Sequence, residues 1–257
     1  MSRLFHRLSL LLSPLLIAGT ASAQAAEPNS LTVQRPTVVF QSGLGDGGGV
    51  WKKVTHSLED RYPVFRYDRP GYGGVPAAEG ARDPCAIARE LHGLLAARGV
   101  KPPYVLVGHS LGGLYQYAFT RLYPGEVAGL VLVDPTHPRH WATMQREAPD
   151  AAALIKTLGW SMGAAARREF ADQAICTDKL DTAALAMPVR ILVKTRHQAM
   201  ESAQFRAMEK GLQQDWLRLT GIEANLPVKG ASHYIQRDRP QAVAAAIDAV
   251  STQAAGR

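Results

Sequence analysis

The chain has 257 residues, of which 46% are hydrophobic, 20% charged and 7% aromatic, with a formal net charge of +7. That apolar content excludes a disordered or fibrous protein, and the length suits one large α/β domain or two small ones. The excess positive charge is spread without a run of five or six basic residues, so no nucleic-acid partner is expected, while an attraction to anionic surfaces stays open.

In chain order, the first segment reads as an export leader. Arg3 and Arg7 open it, Leu8 to Ala18 form a short apolar core interrupted by Pro14, and Ala21-Ser22-Ala23 offers a small-x-small cleavage site. Residues 1–23 are expected to be a signal peptide, cleaved after Ala23 (or after Ala25), leaving residues 24–257 as the mature domain. The apolar run is too short to span a bilayer, so no stable membrane insertion is expected after cleavage. The two arginines are not adjacent, which does not indicate twin-arginine export. Loss of Arg3 and Arg7 takes the formal charge from +7 to +5. The implied location is periplasmic or secreted. In such an oxidising compartment the two cysteines, Cys85 and Cys176, read as one disulfide; the alternative is two buried thiols that never meet.

Further along, Leu31-Thr32-Val33 is a candidate edge strand, and Thr37 to Phe40 a short apolar strand running into a glycine-rich loop, Ser42 to Gly49. A helix over Trp51 to Leu58 and a strand over Val64 to Tyr67 follow. Asp83 as N-cap with Pro84 behind it predicts a helix to about Arg98, with Ile87, Leu91, Leu94 and Leu95 on its apolar face. The continuous apolar runs Tyr104 to Val107 and Leu130 to Val133 suit parallel strands covered on both faces. Between them lies a helix from Leu111 to about Leu122. From about 135 to 187 the strand–helix alternation breaks, and helices over Asp150 to Leu158 and Ala164 to Ala174 suggest a small helical lid. A strand at Val189 to Val193, a helix from Ser202 to Leu219, a last strand at Ala224 to Val228 and a helix from Pro240 complete an α/β pattern.

The most specific motif is Gly108-His109-Ser110-Leu111-Gly112-Gly113. It lies between an apolar strand and a helix, the setting in which Gly-x-Ser-x-Gly forms a sharp turn that exposes a nucleophilic serine. Three further stretches accompany it: Ser42-Gly43-Leu44-Gly45 after a strand, Asp68-Arg69-Pro70-Gly71-Tyr72-Gly73, and Ser232-His233-Tyr234 after the last strand. Taken in this order, the motifs resemble those of the α/β-hydrolase superfamily over roughly 36–250. The match is strong to Asp134 and around His233, and weak in the helical insertion. The resemblance implies a mostly parallel sheet flanked by helices and a serine esterase- or lipase-like activity. It also implies oxyanion donors at the backbone N–H groups of Leu44 and Leu111. Here Gln41-Ser42-Gly43 replaces the histidine-glycine pair of many relatives, a change of side chains that leaves the backbone donor in place.

A serine hydroxyl needs a base, and His233 is the best-placed histidine. His109 resembles the usual packing residue of this turn. His137 and His140 with Asp134 have a metal-like spacing, but Pro135 and Pro138 interrupt any shared helical face, so neither a metal nor a cofactor is expected. The acid departs from the common pattern. Relatives carry it after the strand that here is Val189 to Val193, whereas this loop reads Lys194-Thr195-Arg196-His197-Gln198, and Glu201, Glu209 and Asp215 fall in a helical stretch. Asp134 ends the preceding strand at the carboxyl edge and is the favoured acid; a turn-capping role is the alternative. Asp68 precedes the nucleophile and is read as structural.

Together these readings predict hydrolysis of a small-molecule carboxylic ester, or a related acyl bond, through Ser110, Asp134 and His233. Perhydrolase or carbon–carbon bond hydrolase chemistry uses the same three groups, and a catalytically inactive binding protein would keep the fold. Trp141, Met144, Leu154, Leu158, Trp160 and Met162 are candidates to line an acyl pocket, although such residues more often only pack a lid.

Overall fold

Among the described residues, six strands form one sheet: β1 (Thr37–Gln41), β2 (Val64–Arg66), β3 (Tyr104–His109), β4 (Val127–Val133), β5 (Val189–Lys194) and β6 (Leu226–Val228). Their order is β2-β1-β3-β4-β5-β6, and every neighbouring pair is parallel. This computed structural model describes residues 35–199 and 201–256, and no side-chain placement for Trp160. The expected leader and the edge strand at Leu31-Thr32-Val33 lie outside the described residues.

The apolar runs are buried on both faces because side chains alternate across a strand. Tyr104 and Leu106 of β3 and Leu130 and Leu132 of β4 join one core layer, with Ile87, Leu91 and Leu95 of α2 (Pro84–Ala97) and Leu114 and Phe119 of α3 (Leu111–Leu122). Val105, Val107, Val131 and Val133 face the other layer. There they meet Val54 of α1 (Lys52–His56) and Ile247 and Val250 of α9 (Pro240–Ala255). The start of α2 is fixed as its sequence implies: the Asp83 carboxylate accepts from the N–H groups of Cys85 and Ala86, and Pro84 fills the first turn. Such a cap is worth about 1 kcal/mol.

Between β4 and β5 lie three helices where two were expected: α4 (His140–Glu147), α5 (Pro149–Leu158) and α6 (Ala164–Asp172). No side chain caps the start of α4, so its sequence carries little start signal. Packing holds it instead. Met144, Ala148 and Ala152 meet Met208 and Leu212 of α7 (Ala203–Thr220) in a small core of their own. Cys85 and Cys176 form the expected disulfide and tie α2 to the end of this insertion. A bridge across a sequence separation of 91 stabilises by about 4–5 kcal/mol in the chain-entropy model.

Other differences are local. The expected helix from Trp51 is the short α1, preceded by a 3-10 turn over Gly48–Trp51. The last strand covers only Leu226–Val228, and a short helix α8 (Ile235–Asp238) precedes α9. Glu201 lies before α7 rather than within it, because Ser202 caps that helix by accepting from the Phe205 N–H. No described helix is long and apolar enough to cross a membrane.

From β1 the chain runs outward to β2, then crosses to the other side of β1 to build β3 through β6. The carboxyl ends of β1 and β3 therefore flank the point where the winding reverses, the usual place for a site in an open α/β sheet.

Candidate active site

Ser110 occupies the turn from β3 to α3 with φ 52° and ψ −124°. A non-glycine residue there carries strain of about 1–3 kcal/mol, so the surroundings must hold it. Its N–H donates to the Val133 carbonyl at 3.1 Å, and its own carbonyl accepts from the N–H groups of Gly113 and Thr136, each at 2.9 Å. The flanking glycines are required by close approach. A Cβ on Gly108 would lie 2.5 Å from the Gly112 carbonyl oxygen, and one on Gly112 would lie 2.4 Å from that of Gln41.

Asp134 follows β4 with φ 43°, its N–H anchored on the Leu192 carbonyl at 2.8 Å. Its carboxylate spans two partners. Oδ2 lies 2.6 Å from His233 Nδ1, and Oδ1 accepts from the Lys194 N–H at 3.2 Å. Burial opposes the Asp134 charge, but the His233 hydrogen bond and the nearby His233 and Lys194 hold its carboxyl below the ordinary range. His233 is positioned from behind by His109. Because a carbonyl only accepts, His109 Nε2 carries the proton and donates to the His233 carbonyl at 2.9 Å. Burial, reinforced by the neighbouring His233, lowers the His109 pKa to about 3, so this ring stays neutral.

Beside Asp134, Lys194 reaches Glu201 Oε1 and Glu209 Oε2, each at 3.0 Å, and lies 3.9 Å from Asp134 Oδ2. Burial disfavours the ammonium, but Glu209, Asp134 and Glu201 overcome it and hold Lys194 above the usual lysine range. Glu201 thus pairs with Lys194 and, at 2.9 Å, with His197 rather than with His233.

On the opposite side of Ser110, the loop after β1 is clamped by Arg69. Its guanidinium donates to the carbonyls of Ser42 at 2.6 Å and Gly43 at 2.8 Å, immediately before Leu44. The same guanidinium makes a two-pronged pair with Glu169 of α6, at 3.0 Å for each prong. Arg82 at 3.2 Å and the hydroxyls of Tyr72 at 2.8 Å and Tyr115 at 3.4 Å also meet that carboxylate. Asp68 accepts from the Gly48 N–H at 2.6 Å, in keeping with a structural role.

Two cavities meet at Ser110. One, about 240 Å³, is lined by Asp134, His233, His140, Lys194, Glu201 and Glu209 among others. The second, about 190 Å³, is lined by Leu44, Leu111, Trp141, Met144, Met162 and Phe170. Leu111 is the first residue of α3, so its N–H stands at a helix N-terminus beside the serine. Of the residues expected to line an acyl pocket, Trp141, Met144 and Met162 line this second cavity. Leu154 and Leu158 are instead exposed, at 43% and 50%, because they project from the outer side of α5. The Trp160 side chain lies outside the described residues. His137 and His140 line the first cavity, and His137 sits 3.0 Å from Asp215.

Lys194 and Glu169 were missed as site-shaping residues. A lysine closing an apolar strand is a signal that could have found the first. A lone glutamate in a helix rich in arginine and alanine carries none that could find the second.

The α/β-hydrolase-fold family model matches residues 36–155. A protein described as "Putative carbamate hydrolase RutD" from Escherichia coli O17:K52:H18 is 40% identical over 100 residues, 38% of this chain and 36% of that protein. The uncharacterised YqjL of Bacillus subtilis is 34% identical over 99 residues, 38% of this chain and 39% of that one. These matches thus span less than two-fifths of the relatives' own length. Likeness in fold extends further. A thermophilic esterase from Thermogutta terrifontis superposes with a TM-score of 0.59 at 21% identity, over 85% of this chain and 90% of that one. The epoxide hydrolase CorEH gives 0.62 at 17% identity, over 86% and 92%. With its parallel six-stranded sheet and a serine turn at the winding reversal, the chain has the α/β-hydrolase fold, and the family model matches the first half of that fold.

Proposed function

We propose that this protein is an exported serine hydrolase that cleaves a carboxylic ester or related acyl bond through an acyl-enzyme. The observation that carries the reading is the 2.6 Å contact between Asp134 and His233 Nδ1, in the same cavity as Ser110. With Nδ1 engaged by the carboxylate, His233 has Nε2 free to take the Ser110 proton as its hydroxyl oxygen attacks the carbonyl carbon. Asp134 fixes the imidazole tautomer and stabilises the imidazolium that forms. The tetrahedral oxyanion is received by the N–H groups of Leu44 and Leu111, held in advance by the Arg69 clamp and the start of α3. His233 then gives its proton to the departing alkoxide, and water repeats the sequence on the acyl-enzyme. The apolar cavity beside Leu44 and Leu111 would hold a compact hydrocarbon arm of the substrate. A serine at the nucleophile position favours acyl transfer over the epoxide and dehalogenation chemistries, which place an aspartate there.

A fluorophosphonate probe should label the wild type and spare Ser110→Ala. Labelling of neither would mean an inactive binding protein on this fold. Graded p-nitrophenyl esters, with thioesters, lactones and a carbamate beside them, would then place the substrate. Export to the periplasm or medium is supported by the leader pattern and the disulfide. Intact mass from an exporting host should give a chain starting at or near Gln24, and a chain retaining Met1 would refute export.

A further inference from the structure

Where relatives commonly place their acid loop, this chain places Lys194 and buries it. Its side chain is only 5% exposed at the end of β5, and its ammonium meets carboxylates from three separate segments. The same residue touches both oxygens of Asp134: its backbone N–H donates to Oδ1, and its ammonium lies 3.9 Å from Oδ2, the oxygen that His233 uses. A merely structural ion pair would be complete with Glu201 and Glu209 alone.

We infer that Lys194 is a positioning residue for the Asp134–His233 pair, orienting the carboxylate and drawing on the charge that the imidazolium also uses. The inference rests on the proposed role of Ser110, Asp134 and His233. Positive charge beside Asp134 competes with the imidazolium for the same carboxylate, and Glu201 and Glu209 temper that competition by sharing the ammonium. The titratable and charged groups facing Lys194 are Asp134 after β4, His140 on α4, Glu201 with its partner His197, Glu209 on α7, and His233 itself. His233 is faced in addition by His109 from β3, His140 from α4 and its neighbour Tyr234. Burial pushes the Glu209 carboxyl up, only partly offset by Lys194, so this is the partner whose charge is most easily withdrawn.

The test follows the rate of fluorophosphonate labelling of the full chain against pH. In Lys194→Met the acidic limb should move up by about one pH unit, because an opposing charge close to the pair has been removed. Lys194→Arg should restore the limb. Glu209→Gln should move it the other way, to lower pH, since the ammonium is then shared with fewer carboxylates. Opposite shifts from two members of one ion cluster are not the signature of general destabilisation. A folded Lys194→Met with the wild-type limb would overturn the inference. If that variant does not fold, Glu209→Gln decides: a downward shift upholds the inference and an unmoved limb overturns it. Failure of the underlying reading looks different, as wild type that takes no label or Ser110→Ala that labels equally.

Discussion

Two buried charge clusters flank Ser110, and they differ in what their open side faces. Around Glu169 two guanidiniums meet two carboxylates: Arg69 pairs with Glu169 twice and is 1% exposed, Arg82 bridges Glu169 and Glu90, and the Tyr72 hydroxyl donates to Glu169. Burying such a pair gains little net stability, because desolvation consumes most of the attraction. It does lock three things together: the loop carrying Leu44, the Arg69 turn and the insertion helix α6. Around Lys194 the carboxylates of Asp134, Glu201 and Glu209 outnumber the ammonium, and all four groups line the cavity that holds Ser110. The first cluster fixes geometry; the second leaves unbalanced charge beside the proposed base.

The largest effect should come from the acid within the second cluster. Asp134→Asn is expected to lower turnover by roughly four orders of magnitude while leaving folding nearly intact, by analogy with the serine-protease triad. Glu201→Gln should lose far less. Steady-state kinetics on both variants checks this, and near-normal Asp134→Asn beside a crippled Glu201→Gln would move the acid to the later loop.

Glu169→Gln tests the sealed cluster. Removing one partner strands the buried Arg69 charge, so chemical denaturation should show a loss of about 3–5 kcal/mol. The pH profile of labelling in the folded fraction should stay in place. A shifted profile would break the distinction between the two clusters.

A more distributed effect is an acid lability on the cavity side. Burial, as the leading cause, lowers His109 to about 3 and both His137 and His140 to about 4. In the unfolded chain these rings titrate near pH 6.5, so between about pH 6.5 and 4 the unfolded state binds more protons than the folded one. Stability is therefore full above that window and falls as pH drops through it, with roughly two to three protons taken up on unfolding near pH 5. Glu209, pushed up by burial, acts in the opposite direction as a single group. Urea midpoints measured across this window should fall steadily towards acid; a flat profile would show that the three rings are not held neutral.

What the sequence determined by itself is local and periodic. The apolar runs at Tyr104 to Val107 and Leu130 to Val133 suited strands covered on both faces, and Asp83-Pro84 fixed where α2 begins. Gly108-His109-Ser110-Leu111-Gly112 specified the strained turn, because only glycines permit the approach made at Gly108 and Gly112. Asp134 was legible as an acid in reach of His233 from its place at the end of a strand. The tertiary structure alone decided the rest. Helix α4 exists because Met144 and Ala148 find Met208 and Leu212 across the fold, not through its own capping or propensity. Glu169 lies 100 residues beyond Arg69, and Lys194 lies 60 beyond Asp134, yet each pair shapes one side of Ser110. Motif and periodicity act over a few residues, whereas a charge buried between distant segments takes its meaning only from what folding brings beside it.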